Sequence, residues 1–160
     1  MHKSFNKYII IGIIFTLVFG SLQHFFYEWS GNNALVGIFS PVNESVFEHL
    51  KLLYFPMTIW IIIGYFLYGK KNRNYFFSAI CGLSVGMITI PILFYLYTFF
   101  TKTNYLVIDL TIYFVSVCLS FLLFGYIYKN YNFRIILSVK GGILVWELVF
   151  TMFVISFFFR

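Results

Sequence analysis

His24 and His49, with Glu28, Glu44 and Glu48, fall between Gln23 and Lys51 of a 160-residue chain that has only three histidines and five acidic residues. Neutral imidazole and carboxylate are donors for zinc, iron or manganese, and two histidines with one or two carboxylates can complete such a coordination sphere. His24, Glu28, Glu48 and His49 are therefore the expected metal ligands. His24 and Glu28 stand one helical turn apart, and His49 pairs with Glu48 or with Glu44. The same groups can also act without a metal. Glu48 would then be a general base, His24 or His49 the acid and Asn43 an oxyanion donor, which makes Glu48 and His49 the catalytic candidates. Glu28, Asn43, Glu44, Asp109 and Glu147 are candidates to line a pocket for a small polar ligand. No HExxH, CxxC or nucleophile-elbow pattern is present, so the spacing names no reaction.

Each residue also has a plainer reading. Glu28, Glu44 and Glu48 taken singly fit a solvated loop with a salt bridge to Lys51. Taken together they differ, because separate segments bring histidine and carboxylate to one level. Asp109 belongs near that level, one turn into its own apolar run. Glu147 lies deep in the last run, where a charged side chain costs at least ~2.5–3.5 kcal/mol and is normally functional. Lys140 stands two turns away on the same face, about 10 Å along the axis. Glu147 below an acidic mouth would suit a proton or cation path. A transporter with five spans and no inverted repeat would need to dimerise. The remaining reading is structural: an accessory subunit of a larger membrane complex.

The elements that carry these residues follow from composition. Hydrophobic residues make up 61% of the chain and charged residues 10%, well below the roughly 25% charged of soluble domains. A soluble core of this length could not hide that much apolar surface, so the lipid bilayer is the expected solvent and partner. Five apolar runs, near 8–26, 50–68, 75–99, 105–128 and 135–159, each approach the roughly 20 helical residues that cross a bilayer. Unpaired backbone is not tolerated in hydrocarbon, so the runs are helices. The expected fold is all-α, a single domain (1–160) of five transmembrane helices, with a long loop and helix start over 27–49.

Lys3, Lys7, Lys70, Lys71, Arg73, Lys129, Arg134 and Lys140 fall on one side of that arrangement, and Lys51, Lys102 and Arg160 on the other. The bias puts the N-terminus in the cytoplasm, and the C-terminus and the His/Glu loop outside. The net charge of +6 sits in short loops, which suits anionic lipid headgroups and argues against nucleic acid. The basic start and first apolar run lack a small-x-small cleavage pattern and read as an uncleaved span. Cys81 and Cys118 lie inside apolar runs, with neither disulfide nor metal-clip spacing.

Gly12, Thr16, Gly20, His24 and Glu28 recur at four-residue steps, and small residues at that spacing let another helix approach closely. Gly82 with Gly86, and Ser116 with Ser120, repeat the pattern. Ser30-Gly31-Asn32-Asn33 marks a turn, and Ala34–Phe39 is too short to cross. Ser40-Pro41 reads as an N-cap followed by proline at the first helical position. That start would send one helix through Glu44 and Glu48 into the second span and present free amides to an anion. On it Glu44, Glu48 and Lys51 would share a face. Pro56 should kink the span and free the carbonyl of Leu52.

The segments H24-x-x-x-E28-W29-S30-G31 and P41-V42-N43-E44-S45-x-x-E48-H49-L50-K51 resemble a bacterial family of small multi-pass membrane proteins of unknown function, found mostly among clostridia and their relatives. The resemblance covers the whole chain in span layout and is strongest over Gln23–Pro56. It implies that His24, Glu28, Asn43, Glu44, Glu48 and His49 belong to the family's hallmark, and it implies a bacterial plasma-membrane location. Phe47 departs from a usual tryptophan and leaves the polar residues intact. No activity follows from the resemblance. The residues favour a pocket for a metal or small polar ligand, with hydrolysis of a lipid-like substrate as its chemistry. A transporter or ion-pathway subunit, as a homodimer, is the alternative.

Overall fold

A computed structural model describes residues 2–72, 74–131 and 136–158. Arg73, Arg134, Arg160 and the side chain of Lys140 lie outside the described residues. The chain is all-α, 85% helical, with no strand among the described residues. Helix α1 covers His2–Trp29, α2 Ala34–Phe39, α3 Val46–His49, α4 Lys51–Leu67, α5 Tyr75–Thr101, α6 Leu106–Asn130 and α7 Ile136–Phe158. Among the described residues, four stretches are long and apolar enough to cross a membrane: Lys3–Gln23, Val46–Leu67, Tyr75–Thr101 and Leu106–Asn130.

Helix α4 is the hub. Lys51 through Met57 are all buried, and so are Ile61 and Gly64, because α1, α5 and α7 pack around it and α6 closes the far side of α1 and α5. The outward faces are hydrocarbon. Ile10, Ile14 and Val18 on α1, and Ile62 and Phe66 on α4, are among the exposed large apolar residues. Such a surface is stable against lipid, not against water.

Small residues set how closely the helices approach. On α5 an added Cβ at Gly82 would run into the Ser120 carbonyl and Phe124, and one at Gly86 into the Ser120 hydroxyl. The Gly-x-x-x-Gly face of α5 therefore seats directly on the Ser-x-x-x-Ser face of α6. On α1 the Gly20 position lies against the Leu52 carbonyl and the Tyr113 hydroxyl.

Tyrosine hydroxyls then satisfy backbone groups in the apolar interior. Pro56 sits inside α4 and cannot donate to Leu52. The freed carbonyl instead accepts from Tyr113 Oη at 3.1 Å, and the same hydroxyl lies 2.9 Å from the Thr16 carbonyl. At the other end Tyr8 donates to the Trp60 carbonyl and Tyr75 to the Ile61 carbonyl, each at 2.8 Å.

That other end carries the basic loops. Ser4 meets Tyr68 at 2.8 Å and Asn74 donates to the Tyr131 carbonyl at 2.7 Å, so the N-terminus and the turns after α4 and α6 lie together. The segment 30–45 caps the opposite mouth. Gly31 and Asn32 turn the chain there at φ of 69° and 61°, the left-handed region that glycine and asparagine tolerate. Asn33 then caps α2 by accepting from the Leu35 amide.

The expected helix start at Ser40-Pro41 is corrected. Residues 41–45 are not helical, and α3 begins at Val46 with Ser45 as its N-cap. Two side chains compete successfully for the amides that a continuous helix would use. Asn43 Oδ1 accepts from the Ser45 amide at 3.0 Å, and a Glu48 carboxylate oxygen accepts from the Val42 amide at 3.1 Å. Ser40 is drawn away to donate to the Gln23 carbonyl. Glu44 therefore does not share a helical face with Glu48 and Lys51, and these amides are occupied rather than open to an anion. The signature that marks the real start is Ser45-x-x-Glu48.

Candidate metal centre

The late helix start determines which carboxylate meets which histidine. Non-helical backbone at 41–45 swings Glu44 back over the end of α1, while α3 directs His49 toward His24. His24 Nε2 and His49 Nε2 stand 3.2 Å apart. Glu44 places one carboxylate oxygen 3.7 Å from His24 Nε2 and the other 3.4 Å from His49 Nε2. One ligand atom from each of the three residues lies within 4.8 Å of the others.

The tautomer of His49 follows from its second nitrogen. Nδ1 lies 2.9 Å from the Ser45 carbonyl, which can only accept, so Nδ1 carries the proton and neutral His49 presents a bare Nε2. A backbone carbonyl behind the distal ring nitrogen is the usual support of a metal-binding histidine. Zinc–nitrogen bonds of ~2.0–2.1 Å in a tetrahedral site put donor atoms roughly 3.3 Å apart. The 3.2 Å between the two imidazole nitrogens falls close to that edge length, while Glu44 approaches the two histidines with different oxygens and a set of one donor atom from each residue closes within 4.8 Å.

The ion-pair reading of the same group is weak in energy. The Glu44 side chain is 83% exposed, against 32% for His24 and 29% for His49. Pairs in such surroundings contribute about 0–1 kcal/mol.

The other candidates lie elsewhere. Glu28 is exposed, one turn beyond His24, outside the group of three. Glu48 is buried and bound to Lys51 Nζ at 2.7 Å, and that ammonium also donates to the Gly37 carbonyl at 2.9 Å. The pair fastens α2 to the start of α4. Asn43 caps the turn before α3. Asp109 accepts from the Tyr97 hydroxyl, and that oxygen lies 3.2 Å from the Tyr105 amide, so this group staples the α5–α6 turn.

Glu147 faces a separate cleft of about 600 Å³ between α1, α2, α4 and α7. Gln23 lines this cleft too. Sequence reasoning passed over Gln23, whose signal was an amide in an apolar run, next to His24.

Fold and site together define a class: a helical bundle built for hydrocarbon, with a His/Glu group at one mouth. The whole chain, residues 1–160, matches the family described as "Family of unknown function (DUF6512)", and the chain belongs to that family. No curated protein and no solved structure matches it.

Proposed function

We propose that the chain is a five-span integral membrane protein of the cell membrane, N-terminus in the cytoplasm, that holds a divalent transition-metal ion at its outer mouth. His24, Glu44 and His49 are the ligands, and zinc fits the donor set best. The observation that carries this reading is the 3.2 Å approach of two imidazole Nε2 atoms with a carboxylate beside both. Three protein donors leave a fourth position for water, as in zinc sites that do chemistry rather than hold structure. Hydrolysis is the reaction class such a centre serves. In this reading Glu44 takes the ligand place expected for Glu28 or Glu48, and Glu48 is a structural anchor. Helix α7, 23 residues long, supplies the fifth span.

The test is elemental mass spectrometry on protein purified in detergent without chelator, beside His49→Ala and Glu44→Gln. The expected outcome is near-stoichiometric zinc, iron or manganese in the wild type. Each variant should lose affinity by more than ~100-fold, beyond the cost of losing an outer hydrogen-bond partner. A wild type that neither retains metal nor takes up added zinc overturns the proposal.

A further inference from the structure

We infer that Glu48 is a positioning residue for the metal centre: its buried carboxylate holds the segment that carries Glu44, and so sets the affinity of the site separately from the stability of the fold. The inference rests on the metal-centre reading above. Glu44 has little of its own to hold it. Its side chain is 83% exposed, and among the described residues its ion-pair partners are the two histidines. An exposed, flexible carboxylate loses rotamer freedom when it ligates, and that loss weakens binding unless the backbone has already placed it.

Glu48 places the backbone on both sides of Glu44. On one side the Val42 amide donates to Glu48 Oε2 at 3.1 Å. The same oxygen accepts from Lys51 Nζ at 2.7 Å, and that ammonium also donates to the Gly37 carbonyl at 2.9 Å. The carboxylate side chain is 3% exposed and the lysine 0%, so water does not compete for these bonds. On the other side Ser45 Oγ accepts from the Glu48 amide at 3.3 Å, and the Ser45 carbonyl faces His49 Nδ1 at 2.9 Å. Asn43 and Glu44 alone span the gap between these fixed points. Asn43 Oδ1 tightens that gap by accepting from the Ser45 amide at 3.0 Å.

Glu48 is not one of the three donors, and its effect on the ion passes through Val42 and Ser45. If the Glu48–Lys51 pair only stabilised the fold, any replacement that restores stability would restore metal binding. Positioning predicts a split. The Val42 amide needs an acceptor at position 48, and an apolar side chain supplies none, however well it packs.

The experiment uses the full chain in detergent, freed of metal, and titrates zinc against a chromophoric chelator. Glu48→Leu/Lys51→Met and Glu48→Gln/Lys51→Met each remove one negative and one positive charge, so they share a net charge and differ in the acceptor. The first should melt close to wild type yet bind zinc ~10–100-fold more weakly, the range for loss of an outer support. The second keeps an oxygen for the Val42 amide and should bind close to wild type. Glu48→Met/Lys51→Met, which matches glutamine in length, replaces the first if that variant does not fold. In metal-free wild type the Val42 amide should already be protected from hydrogen exchange, because its acceptor is Glu48 and not the ion. Equal zinc affinity in the two folded double variants, or free exchange at Val42, overturns the inference and leaves the metal centre standing. A wild type that takes up no zinc overturns the metal centre, and the inference with it.

Discussion

Glu44 and Glu48 are the same residue type four positions apart, yet the fold gives them opposite roles. Glu48 is 3% exposed, against a Lys51 that is 0% exposed. Removing one partner of such a pair leaves an uncompensated buried charge and costs about 3–5 kcal/mol. Glu48→Ala should therefore lower the melting point in detergent sharply. The double variant Glu48→Leu/Lys51→Met should recover most of the loss, because a packed apolar pair replaces an ionic one at little cost. Glu44→Gln, at a largely exposed position, should change stability by less than ~0.5 kcal/mol while metal is lost. A Glu44→Gln protein that melts much earlier than wild type would make the His/Glu group a structural clasp. The sequence brings out the carboxylates and histidines as candidates. It does not separate Glu44 from Glu48, because burial of one and exposure of the other depend on where residues 41–45 leave the helix.

The α5–α6 contact is the element whose energetics are easiest to isolate. Gly86 faces the Ser120 hydroxyl and the Ser116 carbonyl with no room for a Cβ. Gly86→Leu should force the two helices apart and cost at least the ~1–3 kcal/mol typical of overpacking, read as a lower thermal aggregation temperature. Gly31→Ala tests a different property: its surroundings are open, and only its φ of 69° favours glycine. That change should cost about 1 kcal/mol. The two glycine-and-serine stripes were visible as four-residue spacing, since helical periodicity is a local property. Which stripe meets which was not. The start of α3 was legible in Ser45-x-x-Glu48, but Ser40-Pro41 offered a competing signal of the same kind. Hydrogen bonds from the Val42 amide to Glu48 and from the Ser45 amide to Asn43 decide between them.

At the scale of the whole molecule, the proposed orientation rests on the basic residues, and burial narrows which of them count. Lys51 breaks the positive-inside pattern as a sequence, yet its ammonium is consumed within the protein by Glu48 and the Gly37 carbonyl. It is therefore not a loop charge, and the bias rests on the N-terminus and the turns after α4 and α6. In a Cys81→Ala/Cys118→Ala background, a cysteine at Asn32 should react with an impermeant maleimide on intact cells. One at Lys70 should react only after permeabilisation. The reverse pattern would move the His/Glu mouth to the cytoplasm.

Composition and periodicity alone determined that this chain is helical and suited to hydrocarbon, because lipid permits few backbone solutions and apolar length can be read along the chain. They also determined that His24, His49 and the glutamates were the residues to watch, since so few polar groups remain. Tertiary structure decided the rest. Convergence of His24 with Glu44 and His49, withdrawal of Glu48 to Lys51, and the seating of Gln23 and Glu147 in one cleft all join segments far apart in sequence. Each of those outcomes depends on which amides are free, which carbonyl Pro56 releases and how closely glycine lets two helices come, and these are properties of the packed bundle.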